Sequence, residues 1–277
     1  MNNTFNLQRL GLLIKRQWLE FGKIFLITVG VALGVIVTFY TFSLWDSLFG
    51  EKQLWNSNNI DLNFREPLFF IFGFLFITVI SSSYFSHLGQ KPKAVIDLMI
   101  PASTFEKFLT GVLFTTILSS LAFLLVFYLT DLAFVSKLRS LYPNARWTSS
   151  EVTDPVAVWI DSIRYFFVQH QLKEFKSLAV IVPFFITSIF LLGSIYFNRF
   201  HYIKTAVSII IFSGVWFFII YNSGRLLFEG KVSTNQSSNM EIDNPKVWAE
   251  IGMFCLILVL TAIIWRITYV RLKEKQV

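Results

Sequence analysis

The chain has 277 residues, of which 55% are hydrophobic and only 15% charged, with 32 Phe. That balance excludes an ordinary soluble domain, in which about a quarter of residues are charged. The net charge of +7 does not point to nucleic acid, because Lys and Arg flank the apolar runs and form no basic domain of their own.

In chain order, the first predicted element is a helix over Phe5–Lys23. Leu7, Leu10, Ile14, Trp18 and Phe21 fall on one face at helical spacing, with Arg9, Arg16, Glu20 and Lys23 opposite, while Leu12, Leu13 and Leu19 break the pattern. Residues 1–23 are therefore expected to form an interfacial helix, with Trp18 at headgroup level. It reads either as a simple anchor or as an elbow that also touches a cytosolic partner. A cleavable signal peptide is not expected, since there is no small-residue cleavage site and basic residues run up to the first apolar stretch.

A bilayer core needs about 20 apolar residues as a helix, with every backbone hydrogen bond closed internally. Six spans are predicted, over about 24–45, 67–85, 108–132, 177–198, 204–224 and 248–267, making a single all-α polytopic transmembrane domain. The sixth requires Glu250 and Arg266 to snorkel to opposite interfaces. Gly30 and Gly34 form a GxxxG in the first span, compatible equally with internal packing and with dimerisation. The second is crowded with Phe69, Phe70, Phe72, Phe74 and Phe76, and Pro183 is expected to kink the fourth. A long outer segment, 135–176, contains a second amphipathic pattern that starts at Asp154-Pro155 (Val156, Trp159, Ile160, Ile163, Phe167). It is read as resting on the outer leaflet, with a lid as the alternative. Lys and Arg crowd both ends of the chain, at Arg9, Lys15, Arg16 and Lys23 and at Arg266, Arg271, Lys273 and Lys275. This places both termini in the cytosol by the positive-inside bias.

The loop between the second and third spans carries the densest local signals. Ser103 and Glu106 match a capping box that opens the third span, and Pro101 blocks helix continuity just before it. Ahead of that corner, Val95, Ile96, Leu98 and Met99 cluster on one side of a short amphipathic helix, with Lys93 and Asp97 paired at i, i+4. So short a helix must bury its apolar side against something, either headgroups or a protein groove.

The chain contains no GxxxxGK[ST], HExxH or GxSxG motif and no Cys/His cluster. Its one cysteine, Cys255, permits no internal disulfide. His87, His170 and His201 do not fall on one side in this topology, so no metal site is expected. No ionisable group lies at mid-span, which argues against an ion-coupled transporter and for energy supplied from outside the chain.

Six spans with inside termini, an N-terminal interfacial helix, and the corner Ile100-Pro101-Ala102-Ser103 followed by Glu106-Lys107 resemble ABC-2-type permeases, the membrane subunits of ABC exporters. The ending Arg271-Leu272-Lys273-Glu274-Lys275 is similar to tails of small permeases of this kind. The resemblance implies a permease dimer in a bacterial cytoplasmic membrane with a separate ABC ATP-binding subunit. ATP and Mg would then be bound by that partner, with no cofactor, metal or catalytic residue in this chain. It further implies that Lys93, Val95, Ile96, Asp97, Leu98 and Met99 form the coupling helix that docks on the ATPase, and that Leu10, Ile14 and Trp18 lie in the elbow helix. One departure is that the stretch between the fifth and sixth spans, where relatives often place short apolar re-entrant helices, is polar here. The alternatives are a polytopic membrane enzyme acting on lipid-linked substrates, using outer carboxylates such as Asp46, Glu66, Asp131 and Glu250, and a non-transporting membrane scaffold.

Overall fold

The computed structural model describes residues 5–49, 62, 64–89, 99–141, 176–197, 199–228 and 245–275, and every regular element among them is helical. These are α1 (Leu7–Ser43), α2 (Trp45–Phe49), α3 (Arg65–Tyr84) followed by a 3₁₀ turn (Ser86–Gly89), α4 (Thr104–Val112), a π-helical segment (Leu113–Leu118), α5 (Ser119–Leu141), α6 (Lys176–Tyr196), α7 (His201–Phe228) and α8 (Pro245–Lys275). α4, the π segment and α5 follow one another without a break and form one rod. Five helical stretches are long and apolar enough to cross a membrane: Leu7–Ser43, Arg65–Tyr84, Thr104–Leu138, His201–Ser223 and Glu250–Lys275. Val180–Tyr196 is a shorter apolar helix. The chain is a multi-pass membrane protein by this measure. Lys93, Val95, Ile96, Asp97 and Leu98, the amphipathic pattern after Asp154, and His170 lie outside the described residues.

The expected division between an interfacial helix over 1–23 and a first span from 24 is not present. α1 runs unbroken through that point, for 37 residues or about 55 Å, against a hydrocarbon core of about 30 Å. The physical reason is that one buried stripe continues across the expected junction. Phe21 and Phe25, one turn apart on either side of that junction, are both buried in the core, as are Ile36 and Tyr40 further along the same face. Leu13, which breaks the sequence pattern, is buried as well. At the far end of the rod, the first residues of the expected outer segment continue α5 to Leu141, with Val135 and Leu138 buried.

The rod and α3 form the centre of the bundle. α3 packs on the rod, α1 and α6, and α6 packs in turn on α7 and α8. Aromatic rings fill the space between α1, α3 and the rod. Phe69 lies 5.0 Å from Phe127 and 5.5 Å from Phe123, Phe76 lies 5.8 Å from Phe123, and Tyr40 is 5.2 Å from Phe64 and 5.1 Å from Phe134. The phenylalanines of the second span are thus mainly mutual packing groups, and none of the five is strongly exposed. α7 is the opposite case. From Ile210 to Tyr221 every residue is exposed, so its surface must meet hydrocarbon or another protein.

Below this aromatic layer runs a buried hydroxyl seam: Thr78, Ser81 and Ser82 on α3, Thr115 and Thr116 in the π segment, Ser119 on α5, and Thr187 and Ser188 on α6. Most of these hydroxyls donate to carbonyls of their own helix, as buried Ser and Thr in membrane helices do. Examples are Ser81 to Ile77, Thr115 to Gly111 and Ser119 to Thr115. Two reach across: Thr116 and Thr187 share a hydrogen bond of 3.2 Å, and Ser81 makes a long contact of 3.5 Å to the Thr115 carbonyl. The π segment therefore faces α6 within four residues of Pro183, an internal proline that removes one of that helix's own hydrogen bonds.

Close helix contacts rest on glycines other than the GxxxG pair. A Cβ added at Gly30 or Gly34 would meet nothing within 4 Å, whereas one at Gly73 would lie 2.8 Å from Phe123, one at Gly111 2.8 Å from Phe85, and one at Gly193 would run into Thr205 of α7. Gly193→Ala is therefore expected to destabilise the protein by about 1–3 kcal/mol through overpacking. Gly30→Ala should be neutral or stabilising by up to about 1 kcal/mol from helix propensity. Thermal unfolding of the two variants in the same detergent would show this split, and an unchanged Tm for Gly193→Ala would contradict the α6–α7 contact.

Candidate functional site

The rod carries two fully buried carboxylates, Glu106 and Asp131. They are separated by roughly 25 residues, or about 37 Å of helix. An ionised carboxylate out of water is tolerated only when paired and hydrogen-bonded, and each of these is satisfied by groups from other helices.

Glu106 is the N3 residue of α4, and its capping box with Ser103 is complete. Ser103 Oγ accepts from the Glu106 amide at 3.2 Å, and Glu106 Oε2 accepts from the Ser103 amide at 2.9 Å. The other oxygen, Oε1, accepts from the Asn6 amide at 2.9 Å and from Arg9 Nη2 at 3.0 Å. Asn6 is itself the N-cap of α1, its side chain accepting from the Gln8 amide at 2.9 Å. One carboxylate thus fixes two helix starts together. Around it, Phe5 meets Phe105 at 6.0 Å, and Tyr269 of α8 meets Phe105 and Phe108 at 6.4 and 6.0 Å. Lys275, at the end of α8, donates to the Ile195 carbonyl at the end of α6. The first turn of α1, the corner before α4, the α6–α7 corner and the last turn of α8 therefore all gather at one end of the bundle.

Asp131 holds the other end. Its Oδ1 accepts from the Tyr40 hydroxyl at 2.9 Å and its Oδ2 from Arg65 Nη2 at 2.6 Å, so α1, α3 and α5 meet on one carboxylate. Arg65 is buried as well, with 6% of its side chain exposed. Of the outer carboxylates considered from sequence, Asp131 is taken up by this clasp with Tyr40 and Arg65, Asp46 is exposed on α2, and among the described residues no three His, Cys, Asp or Glu side chains form a group able to hold a metal ion. With donors on every oxygen described, both carboxylates act as joints between helices.

Of the residues singled out from sequence, Ser103 and Glu106 form the cap as expected, and Pro101 lies exposed at the corner. Met99 is 79% exposed. Leu10 and Ile14 are half-buried on α1, and Trp18, 41% exposed, packs its ring over Gly22 and 6.3 Å from Phe114. Sequence reasoning missed Arg9, Asn6, Tyr40 and Arg65 as partners of the two carboxylates. The available signal was charge at the ends of apolar runs, since an Asp or Arg there must find a buried counter-ion or reach water.

Comparison of the chain with known protein families, with curated proteins and with solved structures returns no match.

Removing one partner of a buried pair leaves the other charge uncompensated. Asp131→Ala is expected to lower stability by about 3–5 kcal/mol, and the combined Arg65→Met, Asp131→Leu variant should recover most of that loss. Denaturant unfolding of the two proteins tests this, and an equal loss in both would contradict the pairing. At the other end, Glu106→Ala should speed hydrogen exchange at the amides of Leu7–Leu10, because the start of α1 loses its anchor. Arg9→Ala should have a smaller effect, since that side chain is already 32% exposed and its contribution is reduced by solvent.

Proposed function

We propose that the chain is the permease subunit of an ATP-driven ABC exporter, working as a dimer with a separate ATP-binding subunit. In this reading it has six spans, counting α6 as the fourth, and both termini lie in the cytosol at the Glu106 end. The observation that carries it is the Glu106 joint. A push on the loop before α4 reaches Pro101 and the Ser103 cap, which leave the chain little freedom to absorb it. From there it passes along the rod and, through Asn6 and Arg9, into α1. A lever of this kind suits a membrane subunit that receives mechanical work from a soluble partner. The gathering of both described chain ends, Asn6 and Lys275, at the Glu106 end fits an even number of crossings.

ATP binding would close the partner ATPases against Lys93–Met99, and the joint would turn that motion into movement of α1 against the rod. The test is to look beside this gene for one encoding a soluble protein with a GxxxxGK[ST] loop, and to express the two together. Ile96→Asp and Leu98→Asp should each abolish copurification, or reduce ATPase stimulation at least about tenfold, as a charge placed on the apolar docking face would. Membrane insertion and yield should be unchanged. Normal copurification and stimulation in both variants would overturn the reading.

A further inference from the structure

The α6–α7 corner concentrates cations that the Glu106 joint does not use. α6 ends at Tyr196, Phe200 takes the left-handed conformation (φ 55°), and α7 begins at His201. A left-handed backbone is uncommon for a bulky residue and marks a corner held by its surroundings. Here Lys275 donates to the Ile195 carbonyl, so α8 secures the end of α6. The corner carries Arg199, His201 and Lys204, and His201 is within electrostatic reach of both Lys204 and Lys275. Arg199 and Lys204 are exposed and have no carboxylate partner among the described residues, while Glu274, the nearest acid in sequence on α8, is taken by Arg271 at 2.8 Å.

Arg199 and Lys204 present two exposed positive charges within five residues of one another, an arrangement open to an anion from the membrane surface. The same corner is rimmed by exposed aromatic rings, Tyr196 (61%) and Phe200 (71%), residues suited to the headgroup region. From Lys204 an exposed apolar strip runs up α7 at helical spacing: Val207, Ile211, Val215 and Phe218. That strip is about 17 Å long, enough to accompany an acyl chain through one leaflet of about 15 Å.

We propose that this corner is a binding site for one anionic phospholipid. Arg199 and Lys204 hold its phosphate, with Lys275 adding positive charge from α8, and an acyl chain lies along the α7 strip. Cations presented on a rigid corner beside an apolar track bind the headgroup and tail of one molecule together, which free phosphate does not satisfy. The inference rests on the chain being a membrane protein and is independent of the permease reading, since no ATPase takes part.

The test uses the full-length protein purified in a neutral detergent, with apparent Tm measured after adding phosphatidylglycerol, phosphatidylcholine or inorganic phosphate. Phosphatidylglycerol should raise Tm by about 3–5 °C above phosphatidylcholine at equal concentration. The Arg199→Ala, Lys204→Ala variant should lose at least half of that difference. Lys15→Ala with Lys23→Ala, which removes equal charge from exposed positions on α1, should keep it. Should the corner variant melt too low to compare, native mass spectrometry of Lys204→Gln is expected to show at least threefold less retained phosphatidylglycerol than the wild type. The proposal is overturned if the corner variants keep the full lipid effect, if the α1 control loses as much, or if inorganic phosphate reproduces the shift.

Discussion

The bundle depends on the rule that a charge withdrawn from water must be neutralised in place. Glu106 and Asp131 stand near opposite ends of the same rod, and neither is exposed. Each therefore recruits donors from neighbouring helices, and in doing so fixes how those helices are placed. α1 contributes to both sets, through Asn6 and Arg9 at one end and Tyr40 at the other. It is thereby held parallel to the rod at two points, while α3 is tied in by Arg65. Apolar packing within a bilayer has little directional preference, because lipid tails compete for the same contacts. Hydrogen-bonded charges restore that direction.

Between these two anchored ends lie the irregular turns of the bundle. The π segment and the Pro183 turn of α6 are places where regular helix hydrogen bonding is disturbed, and they lie near each other, linked by Thr116 and Thr187. Hydroxyls in the seam that donate to their own helix carbonyls leave few strong bonds between helices.

The lipid site and the Glu106 joint share one end of the bundle but not the same residues. Phe105 and Phe108 at the start of the rod touch Tyr269 on α8, and Lys275, less than two turns further along α8, reaches the α6 end. A phospholipid at the α6–α7 corner would thus sit beside the helix that also packs against the joint. Bilayer composition would then bear on the same end of the protein as the Glu106 joint.

The sequence by itself determined the helical class, the apolar runs and their approximate limits, because a lipid solvent demands long internally bonded helices and leaves charges only at their ends. It also determined the capping box at Ser103 and Glu106, since that signal is local and complete within four residues. What only the tertiary structure decided were the partners. Nothing near Glu106 in the chain announces Asn6 and Arg9, about 100 residues away, and nothing near Asp131 announces Tyr40 and Arg65. The continuity of α1 past residue 23 was likewise hidden, because Phe21 and Phe25 are seen to share one buried face across it only in the folded bundle. Close-packing glycines were equally illegible: Gly30 and Gly34 have the familiar spacing but face open space, whereas Gly193 has no motif and is fixed by Thr205. Local hydrogen bonding and hydrophobic length can be read along a chain. Charge pairing and steric fit are properties of residues that meet only when it folds.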